Sequence, residues 1–198
     1  MIRAVFLDLN GVLIQSDFLS ARFERAFGVS QDVFLPTLKH ILSLVRLPNA
    51  PGIISLWEPY FKVWGLTLSG EEFLNFWFSG ESLQHDILSY IQELSTSGVS
   101  VIIISNNFRE RTLYYRLHFP EIFKAVRKTY FSWETGFVKP SADALQLALH
   151  ELHLVPQDAL YFDDTENNII LARSIGIDGQ MWLDFETARQ YIDFKLKQ

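Results

Sequence analysis

The apolar residues of this chain fall into short runs that are separated by stretches of helical periodicity. The runs cover residues 4–7, 99–104, 126–131, 159–162 and about 179–183. They predict buried parallel strands, because each is short, mostly β-branched or aromatic, and bounded by turn or polar residues. Between the later runs, apolar residues recur at helical spacing, as at Ile87, Ile91 and Leu94. Strands that alternate with helices indicate an α/β fold with a doubly wound parallel sheet.

The gap between the first two runs is far too long for a single crossover and reads as helical. Four apolar sets with helical spacing predict four helices, marked by Phe18, Phe23 and Phe27; by Phe34, Leu38, Ile41, Leu42 and Val45; by Trp57, Phe61 and Trp64; and by Phe73, Phe76 and Trp77. We therefore predict a core formed by residues 1–16 and 81–198, with a small helical cap, residues 17–80, inserted after the first strand. The aromatic residues of the cap are expected to pack together; contact of a few with a ligand is the alternative.

Composition narrows the function classes. With 198 residues, 48% of them hydrophobic, the chain can bury a full core. The absence of cysteine excludes disulfides and thiolate metal sites. A net charge of −6 argues against nucleic-acid binding, and no apolar run reaches the roughly 18 residues that span a membrane. Residues 1–10 lack the features of a signal peptide, so we expect a cytoplasmic monomer or homodimer.

Polar side chains that can carry chemistry follow several of the predicted strands. At or just beyond strand ends lie Asp8, Ser105, Lys139 and the pair Asp163-Asp164. In open α/β sheets, the carboxyl ends of the strands form the edge at which ligands bind. Each signal alone is weak, since a single Ser or Lys at a strand end is usually a turn or surface residue. Together they predict one polar site at that edge.

In this order, the four signals resemble the motifs of the haloacid dehalogenase-like hydrolase superfamily. The resemblance extends to Ser105-Asn106-Asn107, to Gly136-Phe137-Val138-Lys139-Pro140 and to Asp163-Asp164 followed by Asn168. It is strongest to the phosphatases with a small helical cap, which include sugar-phosphate phosphatases and the phosphatase domain of soluble epoxide hydrolase. The resemblance implies a Mg²⁺-dependent phosphomonoester hydrolase that acts on a small phosphorylated metabolite through an aspartyl-phosphate.

The resemblance also implies catalytic and phosphate-binding roles. Asp8 would be the nucleophile, since a carboxylate can attack phosphorus and split one displacement into two. Lys139 would neutralise the nucleophile and the phosphoryl oxygens. Ser105 Oγ and the N–H of Asn106, at the start of the following helix, would bind phosphate oxygens, together with Gly11.

The metal ligands follow from the same resemblance. Mg²⁺ would be held by Asp8, by an acid of the fourth motif and by the backbone carbonyl of Asn10, which are oxygen ligands of the kind this ion prefers. We favour Asp164 as the direct ligand, and Asp163 as its supporting or water-mediated partner.

Asn10 departs from the family pattern. In the phosphatases an Asp at this position protonates the leaving group and then activates water. Asn can hydrogen-bond but cannot transfer a proton at neutral pH, and such transfer is worth roughly 10²–10⁴-fold in rate. The backbone carbonyl is retained, so metal and phosphate binding should survive.

Several explanations of Asn10 stay open. The protein could be a weakened phosphatase or a non-catalytic relative that binds phosphorylated ligands, or Asn10 could be an engineered substitution. Deamidation at Asn10-Gly11 could restore an Asp. A dehalogenase would need no proton donor, but it would not depend on Mg²⁺, for which Asp163 and Asp164 argue. Beside the hydrolase and the non-catalytic binding protein, a third functional class is an interaction protein that uses the aromatic-rich cap.

Three arginines, Arg109, Arg111 and Arg116, follow the second motif. Such charges usually form a solvated face. One of the first two could instead reach an anionic substrate.

Overall fold

A computed structural model describes residues 1–198 of the protein. The strands are β1 Ala4–Leu7, β2 Ile14–Ser16, β3 Glu81–Leu83, β4 Ser100–Ser105, β5 Lys128–Phe131, β6 Ala159–Asp163 and β7 Asp178–Met181. The helices are α1 Leu19–Phe27, α2 Gln31–Val45, α3 Ile53–Val63, α4 Gly70–Phe78, α5 His85–Thr96, α6 Arg109–His118, α7 Pro120–Ala125, α8 Ser132–Thr135, α9 Asp143–Glu151, α10 Glu166–Ser174 and α11 Phe185–Leu196. None of these helices combines the length and the apolar character that crossing a membrane requires.

Five parallel strands form the central sheet, in the order β5-β4-β1-β6-β7. Strand β1 lies in the middle, where Leu7 pairs with Ile103 of β4 and with Phe162 of β6. This arrangement confirms the predicted doubly wound α/β fold. The chain first builds the sheet on one side of β1 and then returns to the other side. The direction of winding therefore changes between β1 and β6, and their carboxyl ends flank the crevice where such folds bind ligands.

Helices cover both faces of the sheet, which explains why its strands read as continuous apolar runs. Val5 and Leu7 point into a cluster that contains residues of α5 and α11. Ala4 and Phe6 point to the opposite face, against residues of α9 and α10. The central strand is thus fixed from both sides, and the residue that follows it has a well-defined position.

The long segment between β1 and β4 begins and ends on a small antiparallel hairpin. Strands β2 and β3 pair with Ile14 opposite Leu83 and Ser16 opposite Glu81, and Asp17 N–H donates a 3.0 Å hydrogen bond to the Gly80 carbonyl. The sequence did not predict these strands, because they are three residues long and too short to show a period of two.

Four helices, α1–α4, lie between the two hairpin strands, in agreement with the four predicted sets, except that Phe18 precedes α1 as its N-cap residue and is exposed. Pro36 lies inside α2 and Pro59 lies inside α3, so neither proline ends its helix. The division into a core of residues 1–16 and 81–198 and a cap of residues 17–80 stays a prediction; α1–α4 fall inside the second range.

The aromatic residues of α1–α4 pack mainly against one another, as expected from their size. They form one buried cluster that includes Phe23, Phe34, Trp57 and Phe73, with ring centroids 4.5 Å apart for Phe23 and Phe34 and 4.7 Å apart for Trp57 and Phe73. Phe108, from the loop after β4, inserts into the same cluster. This contact joins the helices to the edge of the sheet that carries the polar residues.

Candidate functional site

A buried lysine joins two carboxylates at the carboxyl ends of β1 and β6. Lys139 Nζ lies 3.0 Å from Asp8 Oδ1 and 2.7 Å from Asp163 Oδ2. Asp8 directly follows β1, and its N–H donates a 3.0 Å hydrogen bond to the Phe162 carbonyl of β6. The side chain of Lys139 is only 6% exposed, so this ion-pair network is shielded from solvent and depends on all three charges.

Both carboxylate oxygens of Asp163 are already occupied. Oδ2 accepts hydrogen bonds from Lys139 Nζ and from the Tyr161 hydroxyl. Oδ1 accepts from the Thr165 N–H at 2.9 Å and from Asn168 Nδ2 at 2.8 Å. Asp163 is therefore held in one orientation, with few lone pairs left for a further ligand.

Asp164, by contrast, is partly exposed to solvent, although its carboxylate lies against the first loop, and it is more lightly held. Its Oδ1 accepts a 3.2 Å hydrogen bond from the Thr165 hydroxyl, and its Oδ2 lies against Gly11 so closely that a Cβ at position 11 would overlap it. Gly11 also has a φ of +87°, which glycine adopts without strain. Its N–H donates to the Ile14 carbonyl at 2.8 Å. Gly11 thus allows the first loop to approach Asp164, and its N–H is engaged within that loop.

The three acids form a cluster that could hold a cation. Oxygen atoms of Asp8, Asp163 and Asp164 all lie within 4.8 Å of one another. Burial raises the pKa of Asp8, and the neighbouring Asp163 adds to this while Lys139 opposes it. Burial and the charge of Asp163 also raise the pKa of Asp164. Asp8 and Asp164 therefore resist ionisation beside Asp163, and a cation bound among the three acids would stabilise their ionised forms.

Lys139 and Asp163 stay charged because each stabilises the other. Burial alone would raise the pKa of Asp163, but Lys139, Tyr161 and Asn168 hold it below its ordinary value. Burial alone would lower the pKa of Lys139, but Asp8 and Asp163 raise it. The ammonium group is therefore available as a fixed positive charge.

Asn106 positions Lys139 through the backbone. Its Nδ2 donates a 2.8 Å hydrogen bond to the Lys139 carbonyl, and its Oδ1 accepts a 2.7 Å bond from the Lys139 N–H. The expectation that Asn106 begins a helix was wrong, since α6 starts at Arg109 with Phe108 as its N-cap. The reason is that the side chain of Asn107 bonds the Phe108 N–H, which extends the loop beyond β4.

Asn10 is held by two side chains. Its Oδ1 accepts a 2.7 Å hydrogen bond from the Tyr115 hydroxyl, and its Nδ2 donates a 3.2 Å bond to Ser105 Oγ. Ser105 ends β4 and is buried. A serine hydroxyl that accepts a hydrogen bond still has its own proton to donate, so Ser105 can also bind an anion. Sequence reasoning gave no sign of Tyr115, which comes from the middle of α6.

Comparison with known proteins identifies the family of the chain. The sequence matches the haloacid dehalogenase-like hydrolase family over residues 2–176. The chain belongs to this family. Similar solved structures include a HAD family enzyme from Bacteroides thetaiotaomicron, with 21% identity and a TM-score of 0.76 over 91% of this chain and 93% of that one. A HAD-like family hydrolase from Porphyromonas gingivalis has 20% identity and a TM-score of 0.77, over 100% of this chain and 99% of that one.

The Bacteroides enzyme has also been crystallised with magnesium and inorganic phosphate. In that form it shares 20% identity with this chain and has a TM-score of 0.75, over 91% of this chain and 94% of that one. At these identities, the likeness establishes the fold of the hydrolase.

Five of the predicted site residues of the hydrolase open onto one polar cleft of about 290 Å³, whereas Gly11, Asp163 and Asp164 do not line it. Its lining includes the predicted residues Asp8, Asn10, Ser105, Asn106 and Lys139, and no apolar side chain apart from Pro140. None of the aromatic residues of α1–α4 lines the cleft. At this cleft, the aromatic residues of α1–α4 are therefore packing residues, as expected, and do not contact a ligand.

Two arginines also line the cleft, Arg46 and Arg111. Arg111 was one of two candidates for contact with an anion; the other, Arg109, points elsewhere and pairs with Glu110 at 3.1 Å. Arg111 Nη2 lies 2.6 Å from Glu81 Oε1, and that carboxylate is fully buried. Arg46 was not predicted, because it follows α2 and reaches the cleft only through the packing of the helices. Its sequence neighbours carry no motif.

Proposed function

We propose that this hydrolase is a Mg²⁺-dependent phosphomonoesterase that acts on a small phosphorylated metabolite through an aspartyl-phosphate on Asp8. The observation that supports this most is the buried Lys139 between Asp8 and Asp163, with the oxygens of Asp164 in the same cluster. Carboxylate and phosphate repel each other, so a phosphate-handling carboxylate needs positive charge beside it. The chain provides that charge in the polar cleft.

Asp8 acts as the nucleophile in this proposal. One oxygen, Oδ1, is engaged by Lys139 at 3.0 Å and by the Leu9 N–H at 2.7 Å. These contacts fix the carboxylate and leave the other oxygen to attack phosphorus. As the Asp8 oxygen bonds to phosphorus, the bond to the leaving alkoxide breaks and the alkoxide takes a proton from water, because Asn10 cannot supply one. Water then hydrolyses the acyl-phosphate, which releases phosphate and regenerates the Asp8 carboxylate.

Ser105 and Lys139 bind the phosphoryl oxygens. Ser105 Oγ lines the cleft and has a proton to donate, and Lys139 presents a fixed positive charge. Asn106 acts as a positioning residue for Lys139, because both polar atoms of its side chain bond the Lys139 backbone.

The donor set fits Mg²⁺, which prefers carboxylate and carbonyl oxygens and keeps some of its waters. Asp8, Asp164 and the Asn10 carbonyl would hold it, while Asp163, whose oxygens are occupied, would orient the cluster. When bound, the ion neutralises phosphoryl charge as a Lewis acid. The magnesium and phosphate complex of the Bacteroides enzyme supports this assignment.

A second candidate function follows from Asn10. Its amide is held by Tyr115 and Ser105, and it cannot act as a general acid or base at neutral pH. A protein with this residue could bind phosphorylated ligands without turning them over. Phosphate affinity and turnover must therefore be measured separately.

The test compares wild type, Asp8→Asn and Asn10→Asp with Mg²⁺ and with a chelator. Release of phosphate from a panel of small phosphomonoesters reports turnover, and calorimetry with inorganic phosphate reports binding. Asp86→Asn serves as the matched control, because Asp86 is exposed in the first turn of α5, far along the chain from the site.

We expect Mg²⁺-dependent turnover that Asp8→Asn abolishes and Asp86→Asn leaves unchanged. Phosphate binding without turnover, in wild type and in Asn10→Asp alike, would support the binding protein instead. If a folded protein neither binds phosphate nor turns over any ester, both candidates are wrong.

A further inference from the structure

One cation in the cleft has no partner. Arg46 is the C-cap residue of α2 and lines the cleft beside Asp8, Ser105 and Lys139. Its Nε is buried and makes no hydrogen bond. No ion pair of the molecule involves it. Arg46 is half-buried, and its Nε has lost water without gaining a partner, which costs free energy unless an anion binds the guanidinium.

The other cations of the cleft are neutralised by the protein itself. Lys139 pairs with Asp8 and Asp163, and Arg111 pairs with Glu81. Burial and the nearby Arg111 guanidinium lower the pKa of Arg46, with Asp8 opposing them. The chain has 23 acidic residues against 17 Lys and Arg, so acidic residues are plentiful, yet none is placed against Arg46.

The position of Arg46 at a helix end does not account for this arrangement. A cation at a helix C-terminus is stabilised by the helix dipole, but such a cation can stay in water. Arg25, in the last turn of α1, does so and is exposed. The position of Arg46 in a polar cleft, with a buried Nε that has no partner, therefore has another cause, and a ligand anion would supply the missing partner.

We propose that Arg46, together with Arg111, forms an anion subsite that selects phosphorylated metabolites carrying a second anionic group, a carboxylate or a further phosphate. The inference rests on the proposed function, since the first phosphate occupies the groups at the strand ends. The planar guanidinium of arginine binds both carboxylate and phosphate oxygens in pairs. Both arginines lie in the same cleft as Asp8, so one small molecule can reach both ends.

The test uses three phosphonates that cannot be hydrolysed and that share one chain length. Propylphosphonate has a methyl end, 3-phosphonopropionate has a carboxylate end, and ethane-1,2-bisphosphonate has a second phosphonate, in each case two methylene groups from the first phosphonate. Calorimetry with Mg²⁺ measures their affinities, and that of inorganic phosphate, for wild type, Arg46→Gln and Arg25→Gln. Arg25→Gln removes the same charge from a helix end that faces solvent. Arg46→Met, which keeps an apolar stem, replaces Arg46→Gln if that variant melts early.

We expect wild type to bind at least one of the two probes with a second anionic group about tenfold or more tightly than propylphosphonate, as a charged hydrogen-bonded pair implies. The preferred probe identifies the second group as carboxylate or phosphate. Arg46→Gln should lose this preference and keep its affinity for propylphosphonate, while Arg25→Gln should keep both.

Equal affinity of wild type for all three phosphonates would overturn the inference and leave the proposed function intact. An equal loss for all three in Arg46→Gln would also overturn it, because Arg46 would then bind the first phosphate. Failure of inorganic phosphate and every phosphonate to bind would overturn the proposed function, and this inference with it.

Discussion

The hydroxyl of Tyr115 donates a 2.7 Å hydrogen bond to the side-chain oxygen of Asn10. This bond sets the orientation of the amide, so that Nδ2 faces Ser105. Burial raises the pKa of Tyr115 well above its ordinary value, and the phenol therefore keeps its proton and stays a donor at neutral pH. An aspartate at position 10 would find the same donor and would be held in the same place.

Asn10→Asp is therefore expected to fold normally and to increase phosphatase turnover. The new carboxyl can transfer a proton to and from the reacting oxygen, which is worth roughly 10²–10⁴-fold in rate. Steady-state kcat with Mg²⁺ measures the gain. Asn10→Ala is the matched control and should show no gain, and adding Asp8→Asn to Asn10→Asp should remove it. An unchanged kcat in Asn10→Asp would mean that position 10 transfers no proton.

Deamidation of Asn10 should be slow in the folded protein. The reaction requires the Gly11 nitrogen to attack the Asn10 side chain, but the Gly11 N–H is bonded to the Ile14 carbonyl at 2.8 Å. Tyr115 and Ser105 also hold the amide in place. Mass spectrometry of the peptide that contains residue 10, from folded and from urea-unfolded protein aged together, should show conversion mainly in the unfolded sample. Equal conversion in both would show that these contacts give no protection.

Asp164→Asn should abolish stabilisation by Mg²⁺ without weakening the metal-free protein. The pKa of Asp164 is raised in the folded state by burial and by Asp163. An acid with a raised folded pKa binds more protons when folded, so its ionisation lowers stability as the pH rises through that pKa. The metal-free variant should thus melt at or above the wild-type temperature at neutral pH.

The pH dependence of the same experiment provides its check. Wild-type Mg²⁺ affinity should fall as the pH drops towards the raised pKa values of Asp8 and Asp164, since protonated carboxyls do not bind the ion. Below the ordinary value of 3.8, wild type and Asp164→Asn should melt alike. Scanning calorimetry across this pH range, with and without Mg²⁺, measures both effects. A Mg²⁺-dependent shift that persists in Asp164→Asn would assign the ion to other ligands.

Lys139→Met should be strongly destabilising. The substitution leaves Asp8 and Asp163 buried side by side without their cation, and removing one partner of a buried ion pair costs about 3–5 kcal/mol. Lys128→Met is the matched control, because Lys128 pairs with Glu151 at 2.6 Å in a half-exposed position, where such pairs contribute about 0–1 kcal/mol. Urea unfolding at neutral pH compares the two free energies. Similar losses in both variants would show that the Lys139 network adds little to stability.

The residues at strand ends could be predicted because two local signals coincide there. An apolar run such as residues 4–7 indicates a buried strand, and a carboxylate directly after it, Asp8, must lie at the edge of the sheet. Lys139 was also expected just beyond a strand end, but α8 separates it from β5, and the resemblance of its surroundings to a known motif was the stronger pointer to it. The hydrogen bonds from Asn106 that hold it join residues 33 positions apart, which no local pattern encodes.

Arg46 and Tyr115 could not be predicted for a related reason. Arg46 follows an apolar helical stretch in the same way as any solvated cation at a helix end. Only the packing of α1–α4 over the sheet brings it into the cleft. Tyr115 resembles a core residue of α6, which it also is, and its hydroxyl becomes important only because Asn10 lies 2.7 Å away.

The hairpin of β2 and β3 has a consequence for protein engineering. Because Ser16 and Glu81 are paired neighbours, the two ends of the helical segment meet at one point, and the sheet does not depend on the length of chain between them. A different helical unit could be grafted onto the hairpin in place of residues 17–80 if it again covers Phe108, which packs into the present helices. The β2–β3 hairpin is thus a single point at which one α/β core can carry helical segments with different binding preferences.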